Sequence, residues 1–532
     1  MQKSIKELGV KLEHPVREEW GDWAVYGDVD LKPDEMIEKV ERVGGFTNIW
    51  LKSEWLISQL SKVPERHEGK GKRVVIDYSA PNIAKPFGIG HLRSTIIGQA
   101  LYNIYEFLGY EVIGDNHLGD WGTQFGALLR QISNLKSQIS NLTIEYLEKL
   151  YVDFHKEAKE NPKILGEARE WFLKLEKGDK KARELWQKCV EASMKEFNRI
   201  YDLLGVKIDK AYGESFYEAR MEIVIEEARA RGIAKESQGA WVIEVPGMRT
   251  PLMLVKSDGA TTYATRDLAT LKFRQEMWNP DIIIYEVGAE QTEHFEQVFG
   301  AARRLGYVSE GIKLVHTKHG LYLDADGKKL STREGKTVKL DEVLNEAIAR
   351  AKKLGSADEE TARAVGIGAI KYFDLSHNVQ SDIGFEWEKV MALEGNSGPY
   401  LQYTYARTQS VLAKANITPE LRSSPLKFSQ ARGFAVRGDR EVILNDEERS
   451  ILRYFYRFEE VVEEAAERFA PNLVCNFLYE LAQRYNTFYN KHSILRAESD
   501  SSRELRLLIT EAVGRVLKTG LELLGIEAPD RM

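Results

Sequence analysis

Val74-Val75-Ile76-Asp77-Tyr78 begins the stretch that decides the fold of this 532-residue chain. The run is short and rich in β-branched residues, which predicts a strand. An apolar-periodic segment over 92–108 follows and stops before Gly109, as helices commonly do. The next short apolar run, Val112-Ile113-Gly114, predicts a second strand. A helix between two strands forms a β-α-β unit, so the sequence predicts a parallel sheet of the α/β class.

Further short apolar runs extend this pattern along the chain. Residues 281–285 and 313–316 predict two more strands beside helical stretches. The runs at 241–245 and 251–256 lie so close together that we expect an antiparallel pair. A segment over about 131–230, dense in Glu, Lys, Leu and Ala, predicts a long helical insertion.

The two ends of the chain differ from this central α/β part. Residues 1–70 are mixed and end in a basic segment with glycines, which favours a linker. From 396 to 532 the pattern is helical, with no convincing strand. Within the insertion, a seven-residue repeat over 131–142 predicts a packed surface helix or an insertion, with Ile132, Leu135, Ile139 and Leu142 on one helix face.

The composition is that of a soluble globular protein, with 43% hydrophobic and 30% charged residues. The formal net charge of −7 excludes a histone-like, polybasic nucleic-acid binder. Cys189 and Cys475 are the only cysteines and lie far apart, so we expect no cysteine-rich zinc site and no disulfide framework. No apolar run is long enough for a membrane span, and no apolar leader segment is present. We therefore expect a cytoplasmic protein without membrane contact.

Two familiar phosphate-binding motifs can be excluded. The segment Gly88-Ile89-Gly90-His91-Leu92-Arg93 has an arginine where a dinucleotide fingerprint needs its third glycine. Gly335-Lys336-Thr337 resembles the end of a P-loop, but Leu330 occupies the position of the required first glycine.

Both segments nevertheless carry candidate nucleotide-binding residues. The first lies between a strand and its helix, where glycines and free helix N–H groups let a phosphate approach the backbone. His91 in the first turn of that helix is a candidate hydrogen-bond donor. The second, Lys328-Lys329-Leu330-Ser331-Thr332-Arg333-Glu334-Gly335, suits a mobile cationic clamp over a triphosphate. Taken alone, each segment is equally typical of an exposed loop.

Basic residues gather close to aromatic ones in the interval 404–440. Tyr400, Tyr403 and Tyr405 lie at its start. The basic side chains are Arg407, Lys414, Arg422, Lys427, Arg432, Arg437 and Arg440. Such a mixture suits a nucleic-acid-binding face, although a solvated helix surface has the same composition.

The two nucleotide-binding segments together resemble the signature motifs of class I aminoacyl-tRNA synthetases. More specifically, the chain is similar to arginyl-tRNA synthetases over Ser79-Ala80-Pro81-Asn82 to Gly98 and over 115–126. Tyr263-Ala264-Thr265-Arg266-Asp267 and the terminal segment 523–529 are also similar to that family. The resemblance extends over essentially the whole chain.

This resemblance implies three domains. The expected arrangement is a Rossmann-like nucleotide-binding catalytic domain over 71–395 with helical insertions, a small N-terminal α/β domain over 1–70 and an all-α anticodon-binding bundle over 396–532. The N-terminal domain contacts the tRNA elbow in the family but looks abbreviated in this chain.

The resemblance also implies the reaction. The carboxylate of L-arginine attacks the α-phosphorus of ATP, pyrophosphate leaves, and the arginyl group passes to the terminal adenosine of tRNA(Arg). Mg²⁺ is expected to help, and the protein is expected to be a monomer. The residues expected to bind ATP are Gly88, Gly90, His91, His117 and Lys329. Those expected to act in catalysis are Lys85, His91, Lys329, Ser331 and Arg333.

Recognition of arginine needs anions around a planar guanidinium, and carboxylates provide them best. By resemblance, Glu214, Tyr263 and Asp267 face the guanidinium, and Asp77, Asn82 and Gln291 hold the α-amino end. The residues expected to contact tRNA are Tyr400, Tyr403, Arg407, Arg432, Arg437 and Arg440.

Gly88 departs from the family pattern, because the first signature usually begins with histidine. One phosphate-facing donor is therefore missing. A synthetase for another amino acid and a catalytically inactive tRNA-binding relative are the two alternatives. The acidic residues expected at the side-chain site disfavour the first, and the retained Lys329, Ser331 and Arg333 disfavour the second.

Overall fold

The computed structural model describes residues 12–62, 71–135, 142–324, 326–330, 338–355, 358–417 and 444–532. In chain order, strands β1–β13 are Leu12–Glu13, Trp23–Tyr26, Ile37–Val43, Phe46–Leu51, Arg73–Asp77, Glu111–Asp115, Ala234–Ser237, Ala240–Ile243, Leu252–Val255, Ile282–Tyr285, Lys313–His316, Tyr322–Leu323 and Ile383–Gly384. Helices α1–α8 are Ser53–Gln59, Ile89–Phe107, Gln124–Ser133, Ile144–Glu160, Ile164–Glu176, Lys180–Leu204, Glu218–Ala230 and Tyr263–Trp278. Helices α9–α17 are Thr292–Arg304, Leu340–Lys353, Glu359–Leu375, Trp387–Val390, Gly398–Lys414, Asp446–Phe455, Phe458–Glu467, Asn472–Lys491 and Asp500–Leu523.

The central element is a four-stranded sheet in the order β11-β10-β5-β6, and all its pairs are parallel. Its strands are the four apolar runs that predicted them, and the first β-α-β unit is β5-α2-β6. The α/β class and the parallel sheet are therefore confirmed. Strands of a sheet covered on both faces are apolar throughout, which explains why these runs do not alternate with polar residues.

The parallel sheet separates two apolar cores. Val74 and Ile76 of β5 face a core shared with helix α2. Val75, between them, faces the other core, which includes Leu268 of α8 and Phe295 of α9. Successive side chains of a strand point to opposite faces, so one short strand anchors helices on both sides of the sheet.

Helix α2 packs closely against the end of β5 because Gly98 has no side chain. A Cβ atom at Gly98 would lie 2.3 Å from the Cβ of Tyr78, which is closer than real Cβ contacts. Gly98 therefore sets the distance between α2 and β5, the strand whose carboxyl end carries candidate site residues.

The chain changes direction in the sheet at β5. From β5 it proceeds to β6 on one side, and after the insertion it returns to β10 on the other side. In open α/β sheets, ligands bind at such a switch point, outside the carboxyl ends of the strands. The carboxyl ends of β5 and β10 are therefore the expected place for a ligand site.

The N-terminal part is a separate antiparallel sheet in the order β1-β2-β4-β3, followed by α1. The sheet buries Trp23 and Ile49. Its buried Asp22 pairs with Arg453 of α14 at 3.0 Å, which ties the sheet to the C-terminal helices. On its surface, the exposed rings of Tyr26 and Phe46 pack edge to face with centroids 5.5 Å apart.

The described part of the insertion is mainly helical, as predicted, and β8 pairs antiparallel with β9 as expected. Of the two alternatives for 131–142, one continuous surface helix is wrong, and an insertion stays a prediction. Helix α3 ends at Ser133, and Thr143 caps the start of α4 by accepting a hydrogen bond from the backbone N–H of Tyr146 at 3.3 Å. Residues 136–141, including Ile139, lie outside the described residues. The first helix therefore stops within the repeat, and the next begins after it.

Beyond residue 396 the described chain is helical without a strand, as predicted, and consists of α13–α17. No helix in the described ranges combines the length and apolar character that crossing a bilayer requires.

Candidate active site

A buried arginine joins the ends of two neighbouring strands. Arg274 of α8 donates from Nη2 to Asp77 at the end of β5 (2.8 Å) and from Nε to Asp115 at the end of β6 (2.9 Å). All three residues are buried. Burial raises the pKa of Asp115 although the positive charge of Arg274 opposes that shift. Arg274 thus supplies the positive charge that two adjacent buried carboxyl groups need.

This buried group retains unused hydrogen-bonding capacity. Oδ1 of Asp77, the hydroxyl of Tyr285 at the end of β10 and the hydroxyl of Tyr217 are buried without a hydrogen-bond partner among the described residues. Buried polar atoms are normally paired with protein, water or a ligand. Asp77 was predicted to bind the α-amino group of the substrate, and Oδ1 is the oxygen it has left for that contact.

The two acids predicted to face the guanidinium lie close together. Glu214 begins a short 3₁₀ helix, and Asp267 lies in the second turn of α8. Burial raises the pKa of Glu214; the charge of Arg266 opposes this shift, and the charge of Asp267 reinforces it. The structure therefore brings Glu214 and Asp267 together. Tyr263, at the start of α8, is 74% exposed.

Both acids already have partners within the protein. Arg266 pairs with Glu214 at 3.3 Å and with Glu218 at 3.2 Å. His294 of α9 hydrogen-bonds Asp267 at 2.5 Å. Burial alone would lower the pKa of His294, but the hydrogen bond and charge of Asp267 raise it above its usual value. An incoming guanidinium must therefore share these carboxylates with Arg266 and His294.

Asp120 positions the segment that carries Glu214. It accepts hydrogen bonds from the backbone N–H of Ser215 (2.8 Å) and from its hydroxyl (2.6 Å). A Cβ atom at Gly213 would lie 2.3 Å from the carboxyl group of Asp120, so only glycine permits this approach. His117, predicted to bind ATP, stacks on Tyr217 with ring centroids 5.4 Å apart.

The predicted phosphate-binding residues gather at the start of α2. Gly88 precedes the helix, and its backbone N–H donates to Nδ1 of His91 at 3.2 Å. This bond assigns the proton to Nε2, which is then a donor. Burial lowers the pKa of His91, and the charges of Lys329 and Lys85 lower it further. His91 is therefore a neutral donor in the field of two lysines.

The remaining predicted residues take the following places. Asn82 pairs with Gly119 in the loop after β5, and its Oδ1 would lie 2.4 Å from a Cβ at Gly119. Gln291 is exposed in the 3₁₀ turn Ala289–Gln291 after β10. Gly90 is exposed in the first turn of α2 with open space around it. Ser331 and Arg333 lie outside the described residues.

The described tRNA-binding candidates cluster on α13. Arg407 lies between the rings of Tyr403 (4.9 Å) and Tyr489 (4.8 Å). Asn486 accepts a hydrogen bond from Arg407 and donates to the hydroxyl of Tyr400 at 2.9 Å. Tyr403 is 45% exposed, so one aromatic ring of this cluster faces solvent. Arg432, Arg437 and Arg440 lie outside the described residues.

Arg274 and Arg266 are the two cationic site residues that sequence reasoning missed. Arg274 falls seven positions after Asp267, so two helical turns bring both onto one face of α8. A charged residue at an otherwise apolar position of a helix is the signal that would have indicated Arg274.

Comparison with known proteins identifies the class. A family model described as the catalytic domain of class I tRNA synthetases (R) matches residues 54–387, and a DALR anticodon binding domain matches residues 401–532. The fold, the site and these matches define a class I aminoacyl-tRNA synthetase.

Relatives make the assignment specific. Arginine–tRNA ligase of Chloroflexus aurantiacus is 41% identical over 521 residues, covering 94% of this chain and 88% of the relative. Arginine–tRNA ligase of Halothermothrix orenii is 37% identical over 565 residues, covering 99% and 97%. The structure of Thermus thermophilus arginyl-tRNA synthetase shares the fold with a TM-score of 0.83 at 24% identity, covering 100% and 98% of the two chains. The chain belongs to the arginyl-tRNA synthetase family.

Proposed function

We propose that this protein activates L-arginine with ATP and transfers the arginyl group to tRNA(Arg) for protein synthesis. The observation that carries the proposal is the pairing of Glu214 with Arg266, the neighbour of Asp267 in α8, at 3.3 Å, which supports a shared site for the two acids. Paired carboxylates suit a guanidinium, and a neutral histidine in the field of two lysines suits a triphosphate. The two half-sites lie at the switch point where α/β sheets bind ligands.

In the first step, a carboxylate oxygen of arginine attacks the α-phosphorus of ATP and pyrophosphate leaves. Negative charge grows on phosphoryl oxygens, so preorganised donors and cations lower the barrier most. Nε2–H of His91 is such a donor, held by the Gly88 bond to Nδ1. Lys85 and Lys329 supply positive charge beside it, and Ser331 and Arg333 are expected to join them.

Arginine is oriented by opposite charges at its two ends. Glu214 and Asp267 receive the guanidinium, with Tyr263 beside them at the start of α8. The free Oδ1 of Asp77, with Asn82 and Gln291, receives the α-ammonium group. The guanidinium shares these partly buried carboxylates with Arg266 and His294, so the acids have cationic partners before and after arginine binds.

In the second step, a ribose hydroxyl of the terminal adenosine of tRNA, the 2′-OH in this class, takes the arginyl group and AMP leaves. Arg407 between two tyrosines, one of them exposed, offers a platform on which RNA bases stack. The exposed pair Tyr26 and Phe46 offers another on the N-terminal sheet and supports contact with the tRNA elbow.

Mg²⁺ has no site built from protein ligands in the described ranges, where no three His, Cys, Asp or Glu side chains gather as potential ligands. Magnesium usually reaches such sites with the phosphates of its nucleotide. We therefore assign no step to it. A cytoplasmic monomer remains our prediction for localisation and assembly.

ATP–pyrophosphate exchange tests the proposal. Exchange should require L-arginine and, by family resemblance, tRNA(Arg). Citrulline carries a neutral urea in place of the guanidinium and should not support exchange, because Glu214 and Asp267 would lose their charged partner. Exchange with another amino acid would instead indicate a synthetase of different specificity. Binding of tRNA without any exchange would indicate an inactive relative.

A further inference from the structure

A buried glutamate–histidine pair lies beside the candidate active site without belonging to it. Glu286 directly follows β10, and its side chain is fully buried. Its carboxylate accepts hydrogen bonds from the Thr317 hydroxyl and from Nδ1 of His319, the latter at 2.8 Å. The side chain of His319 is 10% exposed. A carboxylate buried this deeply is tolerated only because these donors satisfy it.

Further hydrogen bonds join the segment after β11 to the segment after β10. His316 donates from Nε2 to the carbonyl of Val287 at 2.9 Å, and the backbone N–H of Thr317 donates to the carbonyl of Tyr285 at 3.1 Å. The backbone N–H of Ala289 donates in turn to the carbonyl of His319 at 3.0 Å. Residues 316–319 thus continue alongside residues 285–289 beyond the point where the two strands end.

The segment after β11 contains a strained residue. Lys318 has φ +64°, a left-handed conformation that a residue with a side chain rarely adopts. Its ammonium group lies 3.6 Å from Glu296 on the surface of α9. Such conformations cost free energy and persist where surrounding contacts hold them. The bonds of Thr317 and His319 to Glu286 flank Lys318 on both sides and hold it.

The two bonded segments connect to the predicted phosphate-binding residues His91 and Lys329. The carbonyl of Glu286 accepts a hydrogen bond from Ser94, one turn after His91 in α2, at 2.7 Å. On the other side, the segment continues into β12, where Leu323 pairs with Lys329. The Glu286–His319 pair therefore lies between the helix that carries His91 and the segment that carries Lys329.

We infer that Glu286 and His319 are positioning residues that set Lys329 against His91 for ATP activation. The inference rests on the proposed function, because it assigns these residues to the ATP half of that reaction. Loss of one partner leaves a buried, unsatisfied group and releases the strained segment, so Lys329 moves. Displacement of a positioned group by about 1 Å can cost about 100-fold in rate. The guanidinium end of the arginine site, on α8 and the segment of Glu214, shares none of these bonds, whereas the α-amino end does, because the backbone N–H of Glu286 donates to the carbonyl of Asp77 at 2.9 Å.

A set of variants separates positioning from folding. His319→Leu removes the donor to Glu286, whereas His319→Gln retains an amide that can donate to it. Glu286→Met combined with His319→Leu removes both polar partners, which proteins tolerate better than the loss of one. Glu296→Gln, which removes the surface ion pair of Lys318, is the matched control.

Steady-state exchange with saturating tRNA should be measured for each variant while ATP and arginine are varied separately. We expect His319→Leu to lower kcat/KM for ATP by about 10- to 100-fold, with KM for arginine changing less than KM for ATP. His319→Gln and the double variant should recover most of the loss, and Glu296→Gln should match the natural protein. Calorimetric titration of each variant with ATP alone, without turnover, should show the same order of affinities.

Equal losses for ATP and arginine, or a double variant at least as impaired as His319→Leu, would overturn the inference. Should His319→Leu fail to fold, the same comparison stands on His319→Gln and the double variant. Absence of arginine-dependent exchange in the natural protein would instead count against the proposed function, and the ATP titrations would still test the pair.

Discussion

At the scale of single residues, Asp267 carries the most specific prediction about the substrate. Its carboxylate is partly buried, holds His294 and lies in the field of Glu214. Asp267→Asn should raise KM for arginine strongly and leave ATP and tRNA binding intact, because loss of one desolvated charge partner costs about 2–5 kcal/mol. Exchange kinetics with arginine varied would measure it. Unchanged KM and turnover would remove Asp267 from the site.

His294 should make arginine binding depend on pH. Its pKa is raised by Asp267 above the usual value of about 6.5. The proton on His294 therefore competes with the guanidinium for Asp267, and this competition disappears as the pH rises through the raised pKa. KM for arginine should therefore fall across that range. The fall should be at most about tenfold for each unit by which bound arginine lowers the pKa of His294. His294→Gln should flatten the profile, and an equally steep profile in that variant would contradict the explanation.

Single residues also show where sequence reasoning stops. Glu214 and Asp267 were predicted to share a site, and the structure brings them together. Arg266, which pairs with Glu214, and Arg274, which pairs with Asp77, were not predicted, because pairing of a buried charge depends on residues distant in sequence. Asp77 and Arg274 are 197 positions apart, and their bond forms only when α8 packs on the sheet.

At the scale of elements, the start of α2 brings together the residues on which ATP activation depends. Gly88 stands where the family usually has histidine, and Lys85 and Lys329 both lie close enough to lower the pKa of His91. We expect these cations to replace the missing donor. Gly88→His should then change adenylate formation by less than about tenfold, whereas Lys85→Ala should be severely impaired, since one preorganised donor is worth about 10²–10³ in rate.

The combined variant Gly88→His with Lys85→Ala should recover part of the loss, because both groups serve the same oxygens. Pre-steady-state adenylate formation in the four proteins would measure this coupling. Strictly additive effects would contradict compensation, and a large gain from Gly88→His alone would reveal an uncompensated defect.

Gly98 fixes the separation of α2 from β5 and should be intolerant of a side chain. Gly98→Ala places a Cβ 2.3 Å from the Cβ of Tyr78, and overpacking of this kind costs about 1–3 kcal/mol. Thermal unfolding should show a lower Tm, and exchange should slow because His91 begins the same helix. Gly166→Ala, in α5 with open space around its Cβ, is the control and should not lower Tm. Equal Tm values for the two variants would refute the tight approach.

The elements that sequence predicted best are those with strong local signals. The β5-α2-β6 unit combined β-branched runs, helical periodicity and a glycine stop, and it formed as expected. The repeat over 131–142 had periodicity alone. Helix α3 ends at Ser133, inside the repeat. The sequence did not predict this end, because apolar spacing does not by itself indicate where a helix stops.

At the scale of the whole molecule, the site depends on connections that no local pattern contains. β5 lies between β6 and β10, so residues from both halves of the catalytic domain meet at one edge. The sequence predicted the parallel sheet that brings these strand ends side by side. It did not predict that the Glu286–His319 pair would link this edge to Lys329, because that link depends on residues 316–319 continuing beside β10.

The C-terminal helices carry the residues that are expected to contact tRNA. Tyr403 is exposed beside Arg407, which also lies over Tyr489. If an RNA base stacks on Tyr403, Tyr403→Ala should weaken tRNA(Arg) binding by about 1–3 kcal/mol, whereas Tyr403→Phe should retain binding because the ring remains. Stacking involves no released counterion, so the slope of affinity against salt should not change.

Neutralising Arg432, Arg437 and Arg440 together should behave differently. If these residues bind phosphates, affinity should fall and the salt slope should become shallower by about 0.7–0.9 for each phosphate that is no longer neutralised. Binding isotherms at several salt concentrations distinguish the two effects. An unchanged slope in the triple variant would mean that the basic interval is a solvated surface. A loss with Tyr403→Phe equal to that with Tyr403→Ala would mean that the hydroxyl, and not the ring, contacts the RNA.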